Sequence, residues 1–361
     1  MIDKEKITLE WIEKISKANR NADKILVEKV IRALLLLEGL VKQKLSFVFK
    51  GGTALMLHLN SSKRLSIDID IIVSEKPDNL NEILDKVAGE QGFIRKEEQK
   101  RTANTKIDKA HYKFFYTPLH KTSKEEEYVL LDILFEAVHY QKLENIRIQS
   151  SFVPEKEAPL TVKTPCLEDI TGDKLTAFAP NTTGIPYFKG EDSMSMEIIK
   201  QLYDIGNLAD NVSDIETIKS TFKTFAATEL SYRELENLLE QDVIEDIYQT
   251  ALCIVTRGAD GKGDFNELQK GIQRISRFVF SESYHMEKAI IHASKAAYLA
   301  TLIKENAAKI EKYNNPLQMK DWIIGEPMNT KLNRLKKSNP EAFFYWYKIS
   351  QILITDNNKT I

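Results

Sequence analysis

Asp68 and Asp70 stand one residue apart inside an otherwise apolar run, Leu65-Ser-Ile-Asp-Ile-Asp-Ile-Ile-Val73. In an extended chain residues two apart point the same way, so this spacing aims two carboxylates at one spot. Adjacent negative charges repel, and partial burial raises the cost. A hard divalent cation such as Mg²⁺ would offset it, because Mg²⁺ accepts carboxylate oxygens and keeps open positions for phosphates. Two solvated carboxylates at a strand end are the plainer alternative. Upstream, Gly51-Gly52-Thr53 follows a short apolar run, where backbone N–H groups at a helix start could hold a phosphate or simply make a tight turn. Downstream, Asp132 interrupts Tyr128-Val-Leu-Leu-Asp-Ile-Leu-Phe135, and its charge needs either a metal or a basic neighbour.

The elements that must carry these groups read as α+β, followed by all-α. Apolar periodicity predicts a helix over 21–42, a strand over 45–49 and a short helix over 53–59. It predicts further strands over 65–73, 93–96, 112–116, 128–135 and 160–163, with a helix over 80–91. Beyond residue 167 the pattern is helical. Ser231-x-x-Glu234 has the form of a capping box for a helix ending at Gly258, and Asp264 can cap the next, up to about 280. A further helix is expected over 283–312, and Pro340 suits the first turn of a last one. The expected fold is a small mixed β-sheet core with flanking helices over 1–165 and a helical domain over 166–361.

With 361 residues, 42% hydrophobic, 29% charged and a net charge of −2, the chain has the mix of a soluble globular protein, and no overall basic field announces nucleic acid. The N-terminus lacks the basic and apolar regions of a signal peptide, and no apolar run is long enough to span a membrane, so a cytoplasmic location is expected. Cys166 and Cys253 fit neither a disulfide framework nor a zinc site. His58, His111, His120, His139, His285 and His292 show no ligand spacing and read as core or surface residues. Asp260-Gly-Lys-Gly-Asp264 lacks the ligand series of a calcium loop. Lys331, Arg334, Lys336 and Lys337 could meet RNA phosphate but more often make a solvated helix face. The nearby Phe343, Phe344, Tyr345, Trp346 and Tyr347 read mostly as core.

The ordered series Lys50-Gly-Gly-Thr-Ala-Leu, Arg64-Leu-Ser-Ile-Asp68-Ile-Asp70, Leu131-Asp132-Ile133, Asp169-Ile-Thr-Gly-Asp-Lys174-Leu-Thr-Ala-Phe and Lys200-Gln-Leu-Tyr-Asp204-Ile resembles the DNA polymerase β-type nucleotidyltransferases. Within them it is most similar to the AbiEii/AbiGii toxin family, which includes MenT-like toxins. The resemblance implies transfer of a nucleotide from an NTP, with two Mg²⁺ ions, to an acceptor such as a tRNA 3′ end. It also implies a growth-inhibiting toxin restrained by an antitoxin protein. By position, Gly51, Gly52 and Thr53 match the turn near the triphosphate, and Asp68, Asp70 and Asp132 match the metal carboxylates. Lys174 matches a lysine meeting the phosphates, Asp204 an acidic position that is catalytic or orienting, and Arg64 and Ser66 a basic residue and a small hydroxyl beside the metals. The chain departs from the superfamily's frequent Gly-Ser turn, and it has Lys200, after a long insertion at 181–195, where many relatives have arginine. Two other readings keep part of this: a kinase-like or protein-nucleotidylating transferase acting on an antitoxin, and a nucleotide-binding interaction protein without turnover.

Overall fold

The computed structural model describes residues 1–59, 63–99, 108–120, 124–326 and 328–357. The chain divides into two units. The first comprises Met1–Cys166 together with Arg277–Ser283, and the second Leu167–Ser276 with Tyr284–Ile361.

In the first unit, α1 (Leu9–Ala18) and α2 (Lys24–Lys42) precede β1 (Val48–Lys50), α3 (Gly51–His58), β2 (Ile69–Ile72) and α4 (Leu80–Gln91). Then come β3 (Arg95–Glu98), β4 (Lys109–Tyr116), β5 (Glu127–Leu134), β6 (Leu143–Arg147) and β7 (Thr161–Pro165). Five strands form one sheet in the order β1-β2-β5-β4-β3. Only the β2–β5 pairing is parallel, so the sheet is mixed, as expected. Strand alternation sorts its two faces. Val129, Leu131 and Ile133 of β5 are fully buried in one core with Leu34, Leu35, Leu36 and Leu37 of α2. Asp132 and its even-numbered neighbours on β5 face the other way and stay half-exposed. Burying a leucine-sized side chain is worth about 1.5–3 kcal/mol, so the α2-covered face anchors the register of the whole sheet.

The second unit contains α5 (Leu167–Ala177), the two-residue strands β8 (Phe188–Lys189) and β9 (Asp192–Ser193), α6 (Ser195–Leu208), α7 (Ile215–Tyr232) and α8 (Glu240–Val255). It continues with α9 (Phe265–Ile275), α10 (Met286–Lys304), α11 (Leu335–Ser338) and α12 (Pro340–Asn357). Helix α10 is alanine-rich and buried on nearly every side, which lets α6, α8 and α12 pack around it. Phe343, Phe344, Tyr345 and Trp346 of α12 are buried, so the aromatic cluster is core.

Several local readings need correction. Helix α3 starts at Gly51, so the two glycines form its first turn and do not precede it. Strand β2 is shorter than the apolar run, because residues 65–68 lie outside the ladder: Leu65 N–H donates to Phe278 O at 2.8 Å and Arg64 bridges Val279. That contact returns Arg277–Ser283 to the first unit, although the sequence places this segment within the helical half, and α9 ends at Ile275. Ser231 caps nothing. It lies in the last turn of α7, whose buried Phe222, Ala226 and Leu230 carry the helix past it. Helix α8 begins instead at Glu240, where the Asp242 carboxylate accepts from Leu239 N–H at 2.7 Å. Asp264 does cap α9, accepting from Glu267 N–H at 3.0 Å. Strand β6 is mostly exposed and polar, which hid it from an apolar pattern search.

Candidate active site

The Gly51 turn is built around missing side chains. Gly51 has φ +83°, in the left-handed region that L-residues avoid. A methyl group there would lie 2.2 Å from Asp70 Oδ2, so the Asp70 carboxylate rests directly over the turn. A methyl group at Gly52 would lie 2.6 Å from Ser66 Oγ and 2.7 Å from an Arg64 guanidinium nitrogen. Thr53 Oγ1 donates to the Asp68 carbonyl at 2.7 Å, tying the start of α3 to the segment entering β2. Gly51, Gly52, Thr53, Arg64, Ser66, Asp68 and Asp70 therefore form one neighbourhood.

Strand register adds the rest. Lys50 lies opposite Asp70, Asp70 opposite Asp132, and Asp132 opposite His111. Four neighbouring strands thus each put one polar residue into a single row, and residues directly opposite one another share a face. The Asp70 and Asp132 backbones are about 4.8 Å apart, the spacing of paired strands. At the end of the row His111 Nδ1 is 2.5 Å from Asp132 Oδ1. The histidine side chain is 15% exposed and the aspartate 35%.

His111 is a residue that sequence reasoning missed. The alternation Lys109-Ala-His-Tyr-Lys113-Phe places it on the half-exposed face of β4, as the strand's burial pattern shows. Nothing local says which residue of β5 it meets.

Lys174 and Asp204 lie in the second unit, on α5 and α6. Lys174 is only 7% exposed, so it is not a solvated surface lysine. Its Nζ pairs with Asp204 Oδ2 at 2.8 Å and donates to Gln201 Oε1 at 3.0 Å. Lys200, one turn before Asp204, pairs with Glu197 at 2.9 Å.

The donor set suits a hard cation: carboxylate oxygens on two adjacent strands, facing one way, beside a turn with no side chains. Among the described residues, no three His, Cys, Asp or Glu side chains are yet gathered closely enough to enclose a metal ion. Asp132 instead has one oxygen turned to His111.

The family model for the nucleotidyl transferase AbiEii toxin of type IV toxin–antitoxin systems matches residues 35–274, well over half of the chain. The chain belongs to the AbiEii nucleotidyltransferase toxin family. It is accordingly an enzyme, a nucleotidyltransferase of the toxin class, and family membership implies a nucleoside triphosphate substrate and an antitoxin partner. Among solved structures, the chain is similar to JHP933 from Helicobacter pylori, with 17% identity and a TM-score of 0.42 over 79% of this chain and 94% of that one. It is also similar to MenT4, a nucleotidyltransferase toxin from Mycobacterium tuberculosis, with 14% identity and a TM-score of 0.44 over 80% and 87%. No curated protein matches the sequence. Among the described residues of this AbiEii-family chain, no helix is long and apolar enough to cross a membrane.

Proposed function

We propose that the chain transfers a nucleotide from an NTP to the 3′ end of tRNA in a Mg²⁺-dependent reaction, and that a separate antitoxin protein restrains it. The observation that carries the reading is the cross-strand pair Asp70–Asp132 beside the side-chain-free Gly51 turn. Asp68, Asp70 and Asp132 would hold the metal. When bound, the ions would polarise the attacking hydroxyl and steady the pyrophosphate leaving group. The N–H groups of the Gly51-Gly52-Thr53 turn would receive phosphate oxygens, aided by the N-terminal dipole of α3. Arg64 and Ser66, packed against Gly52, would add a cation and a hydroxyl to the same anion.

In the helical unit, Lys174 would supply charge to the triphosphate, with Asp204 orienting its ammonium. A buried ion pair is a poor investment in stability alone, which favours a chemical reason for keeping it. The choice of a tRNA 3′ end rests on the resemblance to MenT-like toxins, and the choice of base is open to experiment.

Incubation with each labelled NTP, total tRNA and Mg²⁺ tests the proposal. Label in tRNA is expected, while label in protein or bound but unchanged NTP would overturn it. Asp68→Asn and Asp70→Asn should each lower the transfer rate on the order of a hundredfold, with the fold retained, because relieving carboxylate repulsion does not destabilise the site. Near-normal turnover in both variants would refute the metal assignment.

A further inference from the structure

The row across the sheet gives Asp132 two different neighbours. Asp70 lies on one side, a second carboxylate to be held by the same ion under the reading above. His111 lies on the other, with Nδ1 at 2.5 Å from Oδ1. An aspartate's terminal torsion is broad and roughly two-fold, so an unrestrained carboxylate samples many orientations. His111 restrains it from a fixed base. Its strand pairs with β5, and its own carbonyl accepts from Gln99 N–H at 2.7 Å on the other side. The imidazole is mostly covered. With Nδ1–H donating, one carboxylate oxygen is taken on the β4 side and the other is left for the β2 side, where Asp70 sits.

Stability does not explain this pairing. Asp132 is one-third exposed, and ion pairs at such sites are worth about 0–1 kcal/mol. Moreover, Asp132 lies between Leu130 and Leu134 on its face of β5, where an apolar residue would pack more simply.

We propose that His111 is a positioning residue: its Nδ1–H bond to Oδ1 sets the Asp132 carboxylate so that Oδ2 is presented to the divalent cation shared with Asp70. This rests on the metal reading of the aspartates. Hydrogen-bonding partners of metal-bound carboxylates typically contribute 10–100-fold to metal affinity or activity. His111→Ala should therefore weaken divalent binding at least about tenfold. It should also lower kcat while leaving KM for the NTP near its original value. His111→Asn keeps an N–H donor close to the position of Nδ1, so it should restore most of both.

The test uses the full chain and Mn²⁺ as probe, with free Mn²⁺ read by electron paramagnetic resonance in the absence of nucleotide. Asp70→Asn is measured alongside, and melting curves establish that each variant is folded. Weakened binding in His111→Ala with recovery in His111→Asn supports the proposal. Unchanged binding in His111→Ala, with loss in Asp70→Asn, overturns it and leaves the metal reading standing. Equal loss in both histidine variants also overturns it, because the imidazole would then be a ligand itself. Mn²⁺ binding that ignores Asp70→Asn as well overturns the proposal together with the metal reading.

Discussion

Gly51→Ala separates the chemistry of the turn from its conformational strain. At φ +83° an alanine pays the left-handed penalty of about 1–2 kcal/mol. Its methyl group would stand 2.2 Å from Asp70 Oδ2, where ordinary contact begins at 3.4 Å, so the carboxylate must retreat by roughly 1.2 Å. A displacement of about 1 Å in a reacting group can cost on the order of a hundredfold in rate, equivalent to about 2.7 kcal/mol of barrier. Gly92 supplies the control. It has φ +77°, caps α4 in the same unit, and has nothing within 4 Å of an added methyl group. Gly92→Ala should therefore lose the same 1–2 kcal/mol in denaturant titrations and keep its transfer rate per folded molecule. Gly51→Ala should match that stability loss and lose transfer of label from NTP to tRNA on the order of a hundredfold. If Gly51→Ala is destabilised like Gly92→Ala but retains transfer within about threefold, the placement of Asp70 over the turn is irrelevant to the chemistry, and the reasoning fails.

Lys174→Met should remove the cation of a buried ion pair and cost about 3–5 kcal/mol by chemical denaturation. Adding Asp204→Leu should recover most of that stability and none of the transfer activity; recovered activity would make the pair purely structural. His58 gives a pH signature. Its Nε2 bonds Pro165 O at 2.9 Å and Thr164 Oγ1 at 2.7 Å, and burial lowers its pKa against the opposing pull of Glu144. The unfolded chain then binds this proton more readily, so the contribution is complete above the unfolded pKa of about 6.5 and is lost as pH falls below it. The melting temperature should drop between about pH 7 and 5, and His58→Gln should flatten that slope. An unchanged slope would show that His58 is not the group responsible.

What the sequence makes legible here is charge that breaks an apolar rhythm. Asp68, Asp70 and Asp132 announce themselves because an apolar run has no reason of its own to carry them. Gly51 and Gly52 announce only a turn, and the observation that one of them is roofed by the Asp70 carboxylate needs coordinates. His111 was invisible for a different reason. Its alternation gives the face, whereas its partner depends on the register of β4 against β5, which separate parts of the chain decide together. The misread cap at Ser231 shows a local rule losing to packing, since Phe222, Ala226 and Leu230 bury one stripe of α7 and hold it helical beyond the supposed break. The return of Arg277–Ser283 to the sheet unit is too short to stand out from the helical pattern around it. It is made by the Leu65 N–H bond to Phe278 O and by Phe278 and Phe280 packing against the first unit's core, and which core they meet is decided by the rest of the chain.

Under the proposed function, the row Lys50–Asp70–Asp132–His111 also ties the core of this unit to its chemistry. A slip of one residue in any strand would carry its polar member to the opposite face, under α2. In β2 and β5 the slip would bury a charge and expose an isoleucine or leucine in the same step. For β5 it would exchange Asp132 with Leu131 or Ile133, both fully buried among the leucines of α2. Each such exchange forfeits about 1.5–3 kcal/mol of burial and adds the cost of an unpaired buried carboxylate. The apolar face thereby fixes the register, and the register delivers one polar side chain from each of four strands to the same line.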